Sequence, residues 1–210
     1  MVEHKPSWRG WMHAAAFAAA IPAGLILLLA ADRTVERVAV GAYALALLLS
    51  FGASAAYHRL SRGERSRQIL QRLDHSMIYV LIAGTYVPIC LLVLTPAWGI
   101  PLLAVLAGAA TLGIILKLAA FRTTRHYSTA LYLVMGWAAV IALPVLIDRM
   151  TSLQLGLIVA GGLAYTIGFP VLMTHRPNPW PRTFGYHEVW HSFTVVAAVL
   201  HFAAVSDVVA

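Results

Sequence analysis

The sequence predicts an all-α membrane protein, with residues 1–210 forming one domain of seven transmembrane helices, the N-terminus in the cytoplasm and the C-terminus outside. Three observations carry that prediction. Of the 210 residues, 60% are apolar and 11% charged, against about 45–50% and about 25% in soluble domains. So little charge could not cover a water-facing surface, which excludes a soluble enzyme, a disordered tail and a nucleic-acid module. The apolar residues fall in stretches of the length, about 20 residues, that crosses a hydrocarbon core of about 30 Å as a helix. The basic residues, finally, collect on alternate connections.

The first span runs from Trp11 to Ala31 with no acid, Lys or Arg inside it, and Trp8 and Trp11 stand at its start as interfacial anchors. Its length exceeds the 7–15 apolar residues expected of a cleaved signal, so it reads as a retained helix. The second runs from about Val38 to Tyr57. No charged residue interrupts His75–Leu116, and the segment Thr95-Pro96-Ala97-Trp98-Gly99-Ile100-Pro101 divides it into spans near 74–94 and 99–120. A fifth covers about Tyr127–Ile147 and a sixth about Ser152–Met173. The seventh follows Pro181, over about Phe184–Val205.

Twelve basic residues fall on one side of this arrangement: Lys5, Arg9, Arg59, Arg62, Arg65, Arg67, Arg72, Lys117, Arg122, Arg125, Arg176 and Arg182. Only Arg33, Arg37 and Arg149 fall on the other. The positive-inside rule makes the richer side cytoplasmic, which accounts for the net charge of +7 without nucleic acid. The arginines after the second span could also gather anionic headgroups, but topology alone already requires them. Ser61-Arg62-Gly63-Glu64 has capping-box spacing and predicts a short helical lead-in to the third span.

Ionisable side chains inside membrane helices are costly and are functional candidates by default. His58 ends the second span, Asp74 begins the third, and His187 and His191 lie in the first two turns of the seventh. All four fall at the cytoplasmic end. His187 and His191 are i, i+4 neighbours on one helix face, as are Ser54 and His58. Cys90 is the only cysteine, so an internal disulfide and a thiolate cluster are excluded, and a metal must be held by nitrogen and oxygen. Three neutral imidazoles with a fourth position open form a catalytic type of zinc site. Asp74 could then hold the bound water, orient a histidine or act as general base; its plainer roles are to cap the third helix or pair with Arg72. Ser54 is an orienting donor, an oxyanion contact or a small packing residue.

The other histidines read differently. His4, His13, His126 and His175 fit interfacial positions, and His75 fits packing or support of the site. His201 lies about 15 Å along the helix from His191, too far for the same ion. His187-Glu188-Val189-Trp190-His191 matches the metalloprotease pattern HExxH. Glu188 in a first helical turn is explained by the helix dipole, and the third ligand comes with Ser54 and Asp74 rather than with a protease scaffold. The protease reading is rejected.

The segments Ser54-Ala55-Ala56-Tyr57-His58, Arg72-Leu73-Asp74-His75-Ser76-Met77-Ile78-Tyr79, Ala83-Gly84-Thr85-Tyr86-Val87-Pro88 and His187-Glu188-Val189-Trp190-His191-Ser192-Phe193 resemble those of the bacterial haemolysin III proteins. These are the prokaryotic branch of the progestin and adipoQ receptor family, in a wider superfamily with the alkaline ceramidases. The resemblance covers nearly the whole chain. It implies a seven-helix bundle in a bacterial cytoplasmic membrane, with zinc on His58, His187 and His191 near the cytoplasmic face. It also implies that Asp74 interacts with the zinc-bound water and that Ser54 belongs to the same motif.

Zinc chemistry inside a bundle favours hydrolysis of a lipid amide or ester. A ceramide-like amide, an acyl-lipid or a phospholipid ester fits, with acyl-lipids first, and membrane lipids are the expected partners. The rival reading is a non-enzymatic sensor of membrane state with structural zinc. A cytolytic pore ranks below both, since seven spans do not suit a cytolysin that must cross water.

Overall fold

The computed structural model describes residues 6–121 and 123–210, with the backbone alone at Arg125 and His126. His4, Lys5, Arg122 and the His126 side chain therefore lie outside the described residues. Among those described, seven helical segments are long and apolar enough to cross a membrane. Their outward faces carry Leu25, Ile26, Leu29, Ile100, Val105 and Ile141, all well exposed, which suits a lipid solvent and no other.

Helix α1 (Trp11–Ala30) begins at Gly10, whose φ of +84° strains any residue with a side chain. A Cβ there would also come within 2.6 Å of the Cβ of His58. Helix α2 (Thr34–Leu60) is started by Glu36, whose carboxylate accepts from the backbone N–H of Asp32 and of Arg33. Helix α3 (Gly63–Pro88) begins about a turn and a half into the arginine-rich segment and continues as one wide turn over Ile89–Val93. The proposed capping box is not formed. Ser61 closes α2 instead, and Glu64 accepts from the Gln68 side chain at 2.7 Å. The lead-in and the third span are one helix, so Asp74 sits in its interior and cannot cap it.

The break at Thr95-Pro96 stands as expected, with Pro96 opening α4 (Pro96–Ala119) at the position where a missing N–H costs least. Lys117, counted above among the loop cations, is instead buried within α4. Its Nζ reaches Thr129 Oγ1 at 3.4 Å and lies over the Tyr132 ring.

The fifth span is not one helix. It comprises α5 (Arg125–Gly136), a tighter 3₁₀ stretch over Trp137–Ala142, and α6 (Leu143–Arg149). Backbone groups freed by such a break have no water to turn to in a membrane and must be satisfied within the protein. Tyr86 of α3 supplies the partner: its hydroxyl donates to the Gly136 carbonyl at 2.8 Å and accepts from Ala139 N–H at 2.9 Å. Tyr79 likewise donates to the Ser128 carbonyl, and Tyr132 returns a bond to the His75 carbonyl. Tyr86→Phe removes both bonds at the break and is expected to cost about 1–3 kcal/mol, read as a lower Tm in detergent. An unchanged Tm would show that the break does not depend on Tyr86.

Helix α7 (Ser152–Thr174) carries a formed capping box between Thr151 and Gln154, and α8 (Tyr186–Val209) packs along it closely. The half built from α1, α2 and α3 is tight. A Cβ on Gly24 would meet that of Ala44 at 2.9 Å, and Gly84 abuts Ala46, the small-residue contact that draws membrane helices together. The fifth and sixth spans, by contrast, touch chiefly where the short α6 meets α7. Between them and α3 lies a largely apolar cavity of about 270 Å³.

Candidate metal centre

Two helix ends build the site. His58 comes from the last turn of α2, and His187 and His191 from the first two turns of α8. The i, i+4 spacing stacks the latter pair on the face turned toward α2. One ring nitrogen from each of the three histidines falls in a group whose members all lie within 4.8 Å of one another, and this group could hold a metal ion. The Nε2 atoms of His58 and His187 are 3.1 Å apart. Two nitrogens bound tetrahedrally to one zinc at about 2.0–2.1 Å stand roughly 3.3 Å apart, so the preformed separation fits a shared ion. His191 is buried, while the other two are half-buried.

Asp74 and Ser54 are not members of that group. They line the cavity onto which His187 and His191 also open. Ser54 faces the Asp74 carboxylate, but its Oγ is fully buried and completes no hydrogen bond. Arg72 does not pair with Asp74: it donates to the Leu118 carbonyl at 2.7 Å. His75 bonds through Nδ1 with the Gln71 carbonyl and packs edge-on to Phe121, in keeping with a packing role. His201 lines the far part of the cavity and bonds the Ile158 carbonyl. His175 is exposed at the end of α7, against Tyr186.

Glu188 is only 1% exposed and fully engaged. Its carboxylate accepts from Gly185 N–H at 2.9 Å, closing the start of α8, and is paired with Arg9. A carboxylate held by a cation and a helix N-terminus is a structural anchor, which agrees with the rejection of the protease motif. Arg9 belongs to a short segment that also bonds the loop before α8, through Ser7 N–H to the Arg182 carbonyl and Trp8 N–H to the Thr183 carbonyl. The Arg59 guanidinium lies over the Trp11 ring at 4.2 Å. The residues ahead of α1 thus tie together the two helix ends that carry the histidines.

His13 requires a correction. It was expected at the interface, and it is instead buried at 6% exposure, in parallel contact with His191. The depth argument applied to the other histidines would have found it. It lies in the first turn of α1, at the same end of the bundle as His187 and His191, but the residues around it offered no i, i+4 partner to draw attention.

Comparison with known proteins agrees with this arrangement. The family model described as "Haemolysin-III related" matches residues 1–202. The chain is 32% identical over 188 residues to "Hemolysin-3" of Bacillus cereus, covering 88% of this chain and 83% of that protein. It is 32% identical over 163 residues to "Hemolysin-3 homolog" of Bacillus subtilis (strain 168), covering 78% and 73% respectively. With a family match over nearly the whole chain and seven helices long and apolar enough to cross a membrane, this chain is a multi-pass membrane protein that belongs to the haemolysin-III related family.

Proposed function

We propose that this protein is a zinc-dependent hydrolase of an acyl-lipid amide or ester, working at the cytoplasmic end of its bundle in a bacterial inner membrane. The observation that carries the reading is the three-histidine cluster, two of whose members, His187 and His191, open onto an apolar cavity inside the bundle with Asp74 and Ser54 in its wall. An all-imidazole donor set suits zinc. Bound zinc would supply a Lewis acid for the scissile carbonyl and a water whose pKa falls to about 7.

The chain's own residues supply the rest. Asp74 stands outside the histidine group, which supports its action on the attacking water as general base rather than as a fourth ligand. It takes that proton and returns it to the departing amine or alcohol. Ser54 Oγ, which faces the Asp74 carboxylate and completes no hydrogen bond among the described residues, is placed to donate to the substrate oxygen or to orient Asp74. The apolar walls from α3, the broken fifth span and α7, including Ile78, Ile82, Leu143, Leu155 and Phe169, hold an acyl chain and exclude bulk water. The loosely joined fifth and sixth spans give that chain a route from the bilayer. The orientation rests on the basic residues and the bacterial setting on the relatives.

The test uses purified protein in detergent and then in lipid nanodiscs. About one zinc per chain is expected, together with fatty-acid release from acyl amides or acyl esters that stops on chelation and returns with zinc. Protein that neither contains zinc nor takes it up would overturn the reading. Zinc-loaded protein inert toward all of these lipids would favour a structural metal in a membrane-state sensor.

A further inference from the structure

We infer that His13 is a positioning residue of the metal centre, bracing the ring of His191 face to face. The inference rests on the metal-binding part of the reading above and extends it to a fourth histidine. The two rings lie with centroids 3.8 Å apart and planes within 3° of parallel, while Phe51 closes on His13 edge-on at 5.1 Å. His13 is therefore held between Phe51 of α2 and His191 of α8, with one ring face on His191. Both its nitrogens are buried without a hydrogen-bond partner among the described residues, so hydrogen bonding there does not account for its place.

The geometry itself has a preference. Parallel contact at a centroid distance of 3.8 Å is closer than the roughly 4.5–7 Å usual between aromatic rings, and so close a stack is disfavoured between two electron-rich rings. It becomes favourable when one ring is made electron-poor, because the face of its neighbour then meets positive charge. A metal on His191 withdraws electron density from that imidazole and produces this condition. The stack also holds the His191 ring plane against rotation, so the ring reaches the ion without a further ordering cost. Hydrogen-bonded neighbours that orient a ligating histidine typically change metal affinity by about 10–100-fold, and a stacked ring that fixes the same orientation is expected at the lower end of that range.

Three substitutions separate the causes. His13→Phe keeps a flat ring and discards the nitrogens, His13→Leu keeps bulk without a flat face, and His13→Ala removes both. Zinc affinity is measured by chelator competition on the full-length protein, with the visible spectrum of the cobalt-loaded form as a second readout and monodispersity and Tm as controls for folding. The expected result is a loss of about tenfold or more in His13→Ala and His13→Leu with altered cobalt bands. His13→Phe should stay within about threefold of wild type with the bands restored. Wild-type affinity and spectrum in His13→Leu would overturn the inference, since bulk alone would then suffice. Equal losses in Phe and Leu would overturn it in favour of the ring nitrogens. Wild-type protein that binds no metal would overturn both this inference and the zinc reading, whereas the other outcomes leave the zinc reading standing.

Discussion

Replacing any one of His58, His187 and His191 by alanine is expected to weaken zinc binding by roughly 10²–10³-fold. Structural zinc sites bind with about 10–16 kcal/mol, so three or four ligands account for about 3–4 kcal/mol each. The structure gives no substitute donor in the described part of the site, because Asp74 and His13 are both outside the group of nitrogens that meet. The control is His175→Ala. That imidazole is exposed just past the C-terminal end of α7, against Tyr186 and outside the group of nitrogens that meet, and its loss should leave the affinity unchanged. Metal analysis after dialysis against a weak chelator distinguishes the cases. Any of the three variants that retains wild-type stoichiometry and affinity removes its histidine from the ligand set.

Asp74→Asn should do the reverse, retaining zinc while lowering turnover by roughly 10²–10⁴-fold, the usual contribution of a positioned general base. The amide has the shape of the carboxylate and keeps an oxygen for Ser54, but it cannot accept the proton of the attacking water. The comparison of metal content with the rate of fatty-acid release is decisive. Loss of zinc in Asp74→Asn would make Asp74 a fourth ligand and close the site, as in structural zinc centres, and the hydrolase reading would then fail.

The spans and the histidine cluster were legible because they depend on local rules. Apolar length counts a membrane crossing whatever its neighbours are, and helical spacing brings His187 and His191 to one face. The break at Thr95-Pro96 was visible for the same reason, since proline acts on its own backbone. The departures come chiefly from contacts distant in the chain. In the fifth segment Gly136 and Pro144 bracket Trp137–Ala142 and were a local signal passed over, while the hydroxyl that satisfies the break belongs to Tyr86, on another helix. Lys117 looked like a loop cation because its burial depends on Thr129 and Tyr132 folding back over it. Ser61-Arg62-Gly63-Glu64 held the letters of a capping box, yet the preceding helix ran on to Leu60 and claimed Ser61 for its own end. His13 was misplaced because its partner, His191, is at the other end of the sequence.

The contrast between the tightly packed α1–α3 half and the loosely joined fifth and sixth spans bears on how this protein can diverge. On the α1–α3 side, added methyl groups at Gly10, Gly24 or Gly84 collide with His58, Ala44 or Ala46, so mutation there disturbs the frame that holds the histidines. Across the cavity, side chains such as Trp137, Val140, Val159 and Phe169 line open space and can change size without forcing a helix to move. On the proposed hydrolase reading, drift should therefore accumulate on the wall that meets the lipid and spare the frame that holds the histidines. Descendants of one ancestral bundle could in this way acquire new lipids while inheriting the same metal.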